Sequence, residues 1–490
     1  MVYAMKLSTI QRDRAIGAII GSAAGDALGA PYEFKPPVSP ETPIELKGGG
    51  SFNWAPGEWT DDTSMAIPIL QLIAAGKDLA DESTKDELVA AWKDWAKSAP
   101  DVGLQTRHVL GSLRGATSTE VLEISRELHE RTGRTAGNGS LMRTGPVGIA
   151  NLDSAEQTAA NARALSELTH WDETAGDACV LWCLAIRHAV INGKLDIRVG
   201  LNHLPAERLG FWQNLIEEAE ANEPAYFSNN GWVIHAFQAA WSAIYRAANA
   251  DAGNFKFDAE RFAYSLELAV RTGYDTDTVA AIAGSLAGAF WGFTAVPAKW
   301  RLKLHGWPLF TELDLVRLTN IALNGEGLEA KVWPNVDHFN YSNFYDRFEL
   351  VQHPKDPGLW VGGVATLSNL PEVVTAVVSL CRVGKKDVPL NIEESLEVML
   401  LDQAGPDSNL NLGFVFTDVA DAIKQLRDEG HVVFLHCVQS QSRTPSVALT
   451  YSMRHLGQTL DEATEDLRRV LPNGTPIRYF VEQLKELDNA

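Results

Sequence analysis

Two stretches of this chain place glycine at every fourth position: Gly17, Gly21, Gly25 and Gly29 near the start, and Gly284, Gly288 and Gly292 far downstream. In a helix this interval gathers the glycines on one face, and a face without Cβ atoms permits close backbone approach. Helices that bury such faces can pack more tightly than ordinary side chains allow.

Each glycine stretch adjoins an acidic segment. Gly25-Asp-Ala-Leu-Gly-Ala-Pro-Tyr-Glu33 ends the first, Gly273-Tyr-Asp-Thr-Asp-Thr278 opens the second, and Gly57-Glu-Trp-Thr-Asp-Asp-Thr63 lies between. Hard divalent cations take several oxygen ligands. Thr60, Asp61 and Asp62 on one turn, with Asp275, Asp277 and Thr278 on another, can supply two such ions, with Glu33 adding a ligand or holding a water. Taken singly, Thr60-Asp-Asp-Thr63 and Asp275-Thr-Asp-Thr278 are better explained as helix N-caps, because Ser, Thr and Asp satisfy orphan amides there. Close packing of the glycine helices would make the acidic segments converge, and one shared site then becomes the better reading.

Length and texture divide the chain. At 490 residues with 45% apolar content it can bury large cores and form two or more domains. From Ile10 to Leu328 apolar residues recur at helical spacing, which predicts an all-α domain over residues 1–330. After an aromatic, proline-containing connector, short apolar runs such as His431–His436 alternate with helical segments such as Val415–Asp428. This pattern predicts a small α/β domain with a central sheet over residues 337–490.

Composition also excludes some functions. A net charge of -21 argues against nucleic acid as a general partner and leaves no basic face for a membrane, so an anionic substrate must be held by metal ions, helix N-termini or a few arginines. Four cysteines, Cys179, Cys183, Cys381 and Cys437, form no disulfide framework and suit the cytoplasm. Cys179 and Cys183, one helical turn apart, read as core. The apolar run Ala15–Ala30 is interrupted by Asp26 and reads as a buried helix rather than a leader. The uncharged run Val279–Ala298 is rich in Ala and Gly and reads as the central helix of a bundle.

Five blocks in order, Gly25-Asp-Ala-Leu-Gly, Gly57-Glu-Trp-Thr-Asp-Asp-Thr, Gly137-Asn-Gly-Ser-Leu-Met-Arg143, Leu168-Thr-His170 and Asp275-Thr-Asp-Thr-Val-Ala-Ala-Ile-Ala-Gly284, closely resemble the ADP-ribosylglycohydrolase family. The resemblance runs over about residues 10–325. It implies a dinuclear Mg²⁺ or Mn²⁺ site held by Thr60, Asp61, Asp62, Asp275, Asp277 and Thr278, with catalytic roles for Glu33, Asp62 and Asp101. It also implies that Gly137, Asn138, Gly139 and Ser140 meet the phosphates of ADP-ribose, that His170 touches substrate, and that the substrate is an ADP-ribosylated protein or small molecule.

A second constellation is His436-Cys437-Val-Gln-Ser-Gln-Ser442-Arg443-Thr444, set between the strand Val432–Leu435 and a helix around Pro445 to His455. A phosphate there meets loop amides and the helix dipole, while Arg443 can grip two oxygens, and the same field favours a Cys437 thiolate. From about Pro357 to Tyr479 the sequence resembles the dual-specificity branch of the cysteine phosphatases, which implies Cys437 as nucleophile, Arg443 as phosphate ligand, Ser440 and Ser442 in the anion loop, and Asp402 as general acid with Asp407 second. Ser440 stands where the family has glycine, and Thr444 where it has serine. If that glycine position needs φ > 0, Ser440 is strained. The expected function is therefore metal-dependent ADP-ribosyl hydrolysis coupled to a cysteine phosphatase with an unidentified phosphorylated substrate. The alternative is a regulatory protein that binds ADP-ribose and phosphate beside an inactive phosphatase-like domain.

Overall fold

The computed structural model describes residues 6–344 and 348–489. Contacts divide the chain into two units, Met1–Val296 with Lys303–Leu328, and Pro297–Leu302 with Glu329–Ala490.

The first unit is helical apart from a ribbon pairing His305–Gly306 with Phe310–Thr311 and isolated bridges. Five of its helices position the site: α1 (Thr9–Gly29), α2 (Asp61–Ala74), α3 (Glu173–Asn192), α4 (Val233–Asn249) and α5 (Thr276–Trp291). Ser8 starts α1 with a capping box, its hydroxyl accepting from Gln11 N while Gln11 Oε1 accepts from Ser8 N. From Ala15 onward all of α1 is buried.

Helices α1 and α5 meet through bare backbone. A Cβ added at Gly17, Gly21 or Gly25 would lie 2.2, 2.3 or 2.0 Å from the carbonyl oxygens of Gly288, Gly284 and Ala280. In return, a Cβ at Gly284 or Gly288 would lie 2.0 or 1.9 Å from the oxygens of Gly21 and Gly17. Rising numbers on α1 meet falling numbers on α5, so the helices run antiparallel. The C-terminal end of α1, leading to Glu33, is thereby brought to the N-terminal end of α5, where Asp275 and Asp277 sit. Thr276 clamps this junction by donating its hydroxyl to Gly29 O at 2.9 Å.

Gly292 departs from the sequence expectation. It follows the end of α5 with φ +91° instead of extending the helix. The uncharged run Val279–Ala298 is therefore a helix, a left-handed turn and a short 3₁₀ segment at Phe293–Ala295. Among the described residues, Glu173–Asn192 is the helix long and apolar enough to cross a membrane, with 78% of its apolar window buried inside the protein.

The second unit contains a five-stranded sheet of β1 (Leu350–His353), β2 (Asp356–Gly363), β3 (Ala376–Ser379), β4 (Glu394–Glu397) and β5 (Val433–Cys437). Their spatial order is β1-β2-β5-β3-β4; β1 pairs antiparallel with β2 and the remaining pairs are parallel. Helices α6 (Leu412–Asp428) and α7 (Arg443–Leu456) share a core with the sheet through Phe416, Ile423, Leu435 and Val447. The central strand β5 is buried at every position, and Cys437 is its last residue. Parallel strands covered by helices read as continuous apolar runs, which is why Val433-Phe-Leu was legible.

The seam gives opposite expectations for two glycines. Gly284→Ala should lower the free energy of unfolding by about 3 kcal/mol through overpacking. Gly210→Ala, in the exposed interior of helix Ala206–Ala221 with nothing within 4 Å of its added Cβ, should raise it by about 1 kcal/mol. Urea titrations followed by tryptophan fluorescence check both; a Gly284→Ala midpoint at or above wild type would remove the seam from this account.

Candidate functional site

Asp26 ties α1 to α2. Fully buried on α1, its Oδ1 accepts from Thr60 N at 2.9 Å and the Thr60 hydroxyl at 2.8 Å, while Oδ2 accepts from Thr63 N at 3.0 Å and the Thr63 hydroxyl at 2.6 Å. One carboxylate thus caps the first turn of α2 from a distant segment. In the sequence Asp26 falls in the first acidic segment and interrupts an apolar run, but nothing there assigns it a role of its own, because its partners are remote in sequence.

Around this anchor the acidic residues converge. Candidate ligand atoms of Glu33, Asp275 and Asp277 lie within 4.8 Å of one another. Thr60 Oγ1 is 3.0 Å from Asp62 Oδ2 and 3.5 Å from Asp277 Oδ2, and Asp61 N donates to Asp101 Oδ2 at 2.8 Å. Burial and the neighbouring carboxylates push Asp61, Asp62 and Asp277 well above the usual carboxylate range, Glu33 to about 8 and Asp101 to about 6. Burial also raises Asp275.

Two of these carboxylates leave a buried oxygen, Asp62 Oδ1 and Asp277 Oδ1, without a hydrogen-bond donor. Orphaned carboxylate oxygens beside like charges fit a divalent cation, which supplies the missing positive partner. The residues present therefore fit a metal ion.

The cluster opens into a cavity of about 710 Å³. Glu33, Asp61, Asp101, Asp275, Asp277 and Thr278 line it, whereas Thr60 and Asp62 do not. Gly137, Asn138, Gly139 and His170 also line it. A Cβ at Gly137 or Gly139 would lie 3.3 or 3.1 Å from the His170 ring, so the small residues let this loop lie on the imidazole. His170 Nδ1 is 2.8 Å from Thr169 Oγ1, which also accepts from Arg143 Nη2 at 2.7 Å. Burial, then the Arg143 charge, lowers the His170 pKa to about 3, so the ring is neutral at pH 7. Arg143 itself stacks on Trp92, 4.1 Å from the ring centroid.

Asn138 is a positioning residue, its Nδ2 bonded to Asp275 Oδ2 at 2.7 Å and to Asn230 O at 2.8 Å. Asn230, which sequence reasoning missed, receives Asp275 N on its Oδ1 at 3.1 Å. Ser140 departs from its expected role. Its fully buried hydroxyl accepts from Ser166 Oγ at 2.9 Å and it does not line the cavity.

Two aromatic rings, Phe34 and Phe52, also line the cavity, with centroids 6.4 Å apart and planes inclined at 63°, as do Leu104, Arg107 and Met142. Left-handed backbone occurs in the segments of the two rings at Phe34 (φ +60°) and Asn53 (φ +58°), and at Tyr274 (φ +62°), which is hydrogen-bonded to the Phe34 segment. Each costs on the order of 1 kcal/mol.

In the second unit, Cys437 ends β5 and is 2% exposed. The loop to α7 contains Ser440 at φ +57°, the left-handed geometry that its replacement of glycine anticipates. Ser440 Oγ and Arg443 Nε are buried without hydrogen-bond partners, while Arg443 Nη1 donates to Leu380 O at 2.7 Å and Leu400 O at 3.2 Å. Ser442 faces elsewhere, its hydroxyl accepting from Ile477 N at 3.2 Å. His436 bonds Ser379 Oγ through Nε2 at 2.7 Å, and burial lowers its pKa to about 4. Asp402 and Asp407 are exposed. Asn409 brackets Leu401, the residue before Asp402, with two hydrogen bonds of 2.8 and 3.0 Å.

Residues 7–327 match the ADP-ribosylglycohydrolase family, and the chain belongs to it. It is 30% identical over 307 residues to the ADP-ribosylarginine hydrolase Tri1 of Serratia proteamaculans (strain 568), covering 60% of this chain and 75% of that one. It is 30% identical over 331 residues to the ADP-ribosyl-[dinitrogen reductase] glycohydrolase of Rhodospirillum rubrum, covering 65% and 98%. Among solved structures, human DUSP28 is similar at 21% identity and a TM-score of 0.25, covering 29% of this chain and 93% of that one.

The Asp26 bracket is directly testable. Asp26→Ala removes a repelling charge but orphans four donors, two of them backbone amides, and each buried orphan costs about 1–3 kcal/mol. The loss should win, lowering the melting temperature in chelator; a rise would mean that repulsion dominates this cluster.

Proposed function

We propose that the first unit is a metal-dependent hydrolase that releases ADP-ribose from modified protein side chains, arginine among them, and that the second is a cysteine phosphatase. The observation carrying the first reading is the convergence of Glu33, Asp61, Asp101, Asp275 and Asp277 on one cavity beside a glycine loop. Family membership and the names of the relatives agree with it.

Thr60, Asp61, Asp62, Asp275, Asp277 and Thr278 are the proposed ligands of two Mg²⁺ or Mn²⁺ ions. When bound, such ions polarise oxygen and acidify water. The protein supplies the rest. Gly137, Asn138 and Gly139 border the phosphate end of the substrate, where backbone unencumbered by Cβ can approach an anion. Buried carboxylates favour positive charge at the anomeric carbon as the glycosidic bond lengthens. With the charge of the cluster neutralised by bound cations, Glu33 would be held as a carboxylate and take the proton of the attacking water, while Asp101, committed through Oδ2 to Asp61 N, orients that turn. Asn138 and Asn230 hold Asp275 in register.

In the second unit, Cys437 would attack a phosphoryl group held by the loop and Arg443, with Asp402 protonating the leaving oxygen. The buried, unpartnered Ser440 Oγ and Arg443 Nε support an anion there. A phosphate-binding unit without turnover is the second reading, favoured by the strained Ser440 and by the engagement of Arg443 Nη1 with two carbonyls.

Release of ADP-ribose from arginine-linked and serine-linked proteins tests the first unit. Release should require Mg²⁺ or Mn²⁺, stop in chelator and fall at least about 100-fold in Asp62→Ala, in the range that loss of one key electrostatic group commonly costs. Release that survives chelation would remove the metal from the mechanism. For the second unit, phosphate release from an aryl phosphate should vanish in Cys437→Ser; a wild type that binds phosphate without turnover selects the second reading.

A further inference from the structure

We infer that Phe34, with Phe52 set against it, forms a subsite for the guanidinium of an arginine leaving group and so sets linkage preference. The inference rests on the proposed hydrolase activity and extends it to a specificity-determining residue.

Phe34 is 64% exposed, a costly placement for a phenyl ring that also sits on left-handed backbone. Neighbouring segments impose that placement. Phe34 N donates to Tyr274 O at 2.6 Å and Tyr274 N donates to Lys35 O at 2.6 Å, linking two left-handed residues immediately beside Glu33 and Asp275. The second ring is carried on a tight turn closed by reciprocal Gly49 and Trp54 hydrogen bonds of 2.8 and 2.9 Å. Gly50 of this turn approaches the end of α1 so closely that a Cβ would lie 2.6 Å from Ala30 O. Phe52 also packs against Trp54, with ring centroids 5.8 Å apart. Strain and close packing thus hold two rings at a place where burial gives them little return.

Their position identifies the occupant. Phe34 directly follows Glu33, in the carboxylate group with Asp275 and Asp277. In the proposed reaction this end of the cavity receives the anomeric carbon, and the leaving group lies on the side of the ribose away from the phosphates. An exposed phenyl face attracts a planar cation and offers a neutral hydroxyl far less. The guanidinium stays charged while it is stacked, and no bond to Phe34 forms or breaks.

The test compares wild type, Phe34→Leu and Phe34→Tyr with Mg²⁺ on one peptide ADP-ribosylated at arginine or at serine. Phe34→Leu keeps apolar bulk without the π face and should lower kcat/KM on the arginine conjugate about fivefold. It should change the serine conjugate and the Kd for ADP-ribose by less than about twofold, and Phe34→Tyr should restore arginine-linked turnover. An equal loss on both conjugates, or weaker ADP-ribose binding, would overturn the inference and place the ring against the ribose or the adenine. If wild type releases ADP-ribose from neither conjugate, the hydrolase reading falls, and affinity by fluorescence anisotropy decides the subsite. Loss of an arginine preference in Phe34→Leu then sustains it, and equal affinity of wild type for both conjugates overturns it.

Discussion

Backbone-to-backbone contact between α1 and α5 is the constraint on which the hydrolase site depends. Because Gly17, Gly21 and Gly25 present no side chains, the helices meet at carbonyl oxygens, and their antiparallel order places Glu33 beside Asp275 and Asp277. A conventional interface would hold helix axes about 8–10 Å apart. Carboxylates projecting from helix ends would then diverge. The Asp26 bracket brings in the third acidic turn by capping α2 from within α1. Three segments far apart in sequence become one wall through two local devices.

The same wall stores electrostatic tension. Burial, and then the charges of neighbouring carboxylates, raises the pKa of Asp62 and Asp277, and their orphaned oxygens show that internal donors do not fully compensate. Mutual repulsion of this kind lowers the stability of the metal-free protein and increases its affinity for cations, since one interaction opposes the first and drives the second. Neutral groups flank the cluster. The His170 imidazole and the Asn138 amide approach it without adding charge of either sign.

Periodicity made much of this legible. The glycine interval marked the seam, acidic turns marked its ends, and the change from helical to alternating apolar runs marked the second unit. What the sequence concealed was direction and partnership. Gly292 shares the interval of Gly284 and Gly288 but ends the helix, because spacing does not encode φ. Ser140 lies in the glycine loop yet turns into the core toward Ser166, and Ser442 turns toward Ile477 N. Asn230 lacked any local signature, and Asp26, though inside an acidic segment, carried no sign of its partners, since each acts on backbone groups of remote segments. Ser440 was readable for the opposite reason: a left-handed position is a local property, and an L side chain there leaves a recognisable substitution.

The antiparallel seam also orders events in time. Helix α1 leaves the ribosome with its glycine face bare, and the partner face begins at Thr276, about 250 residues later. At roughly 5–20 residues per second that interval is on the order of 12–50 s. During it Glu33 and Asp277 belong to segments that have not met, so a nascent chain cannot assemble the carboxylate wall prematurely. The hydrolase centre therefore forms as one of the last features of its unit, when α5 closes against the first helix made.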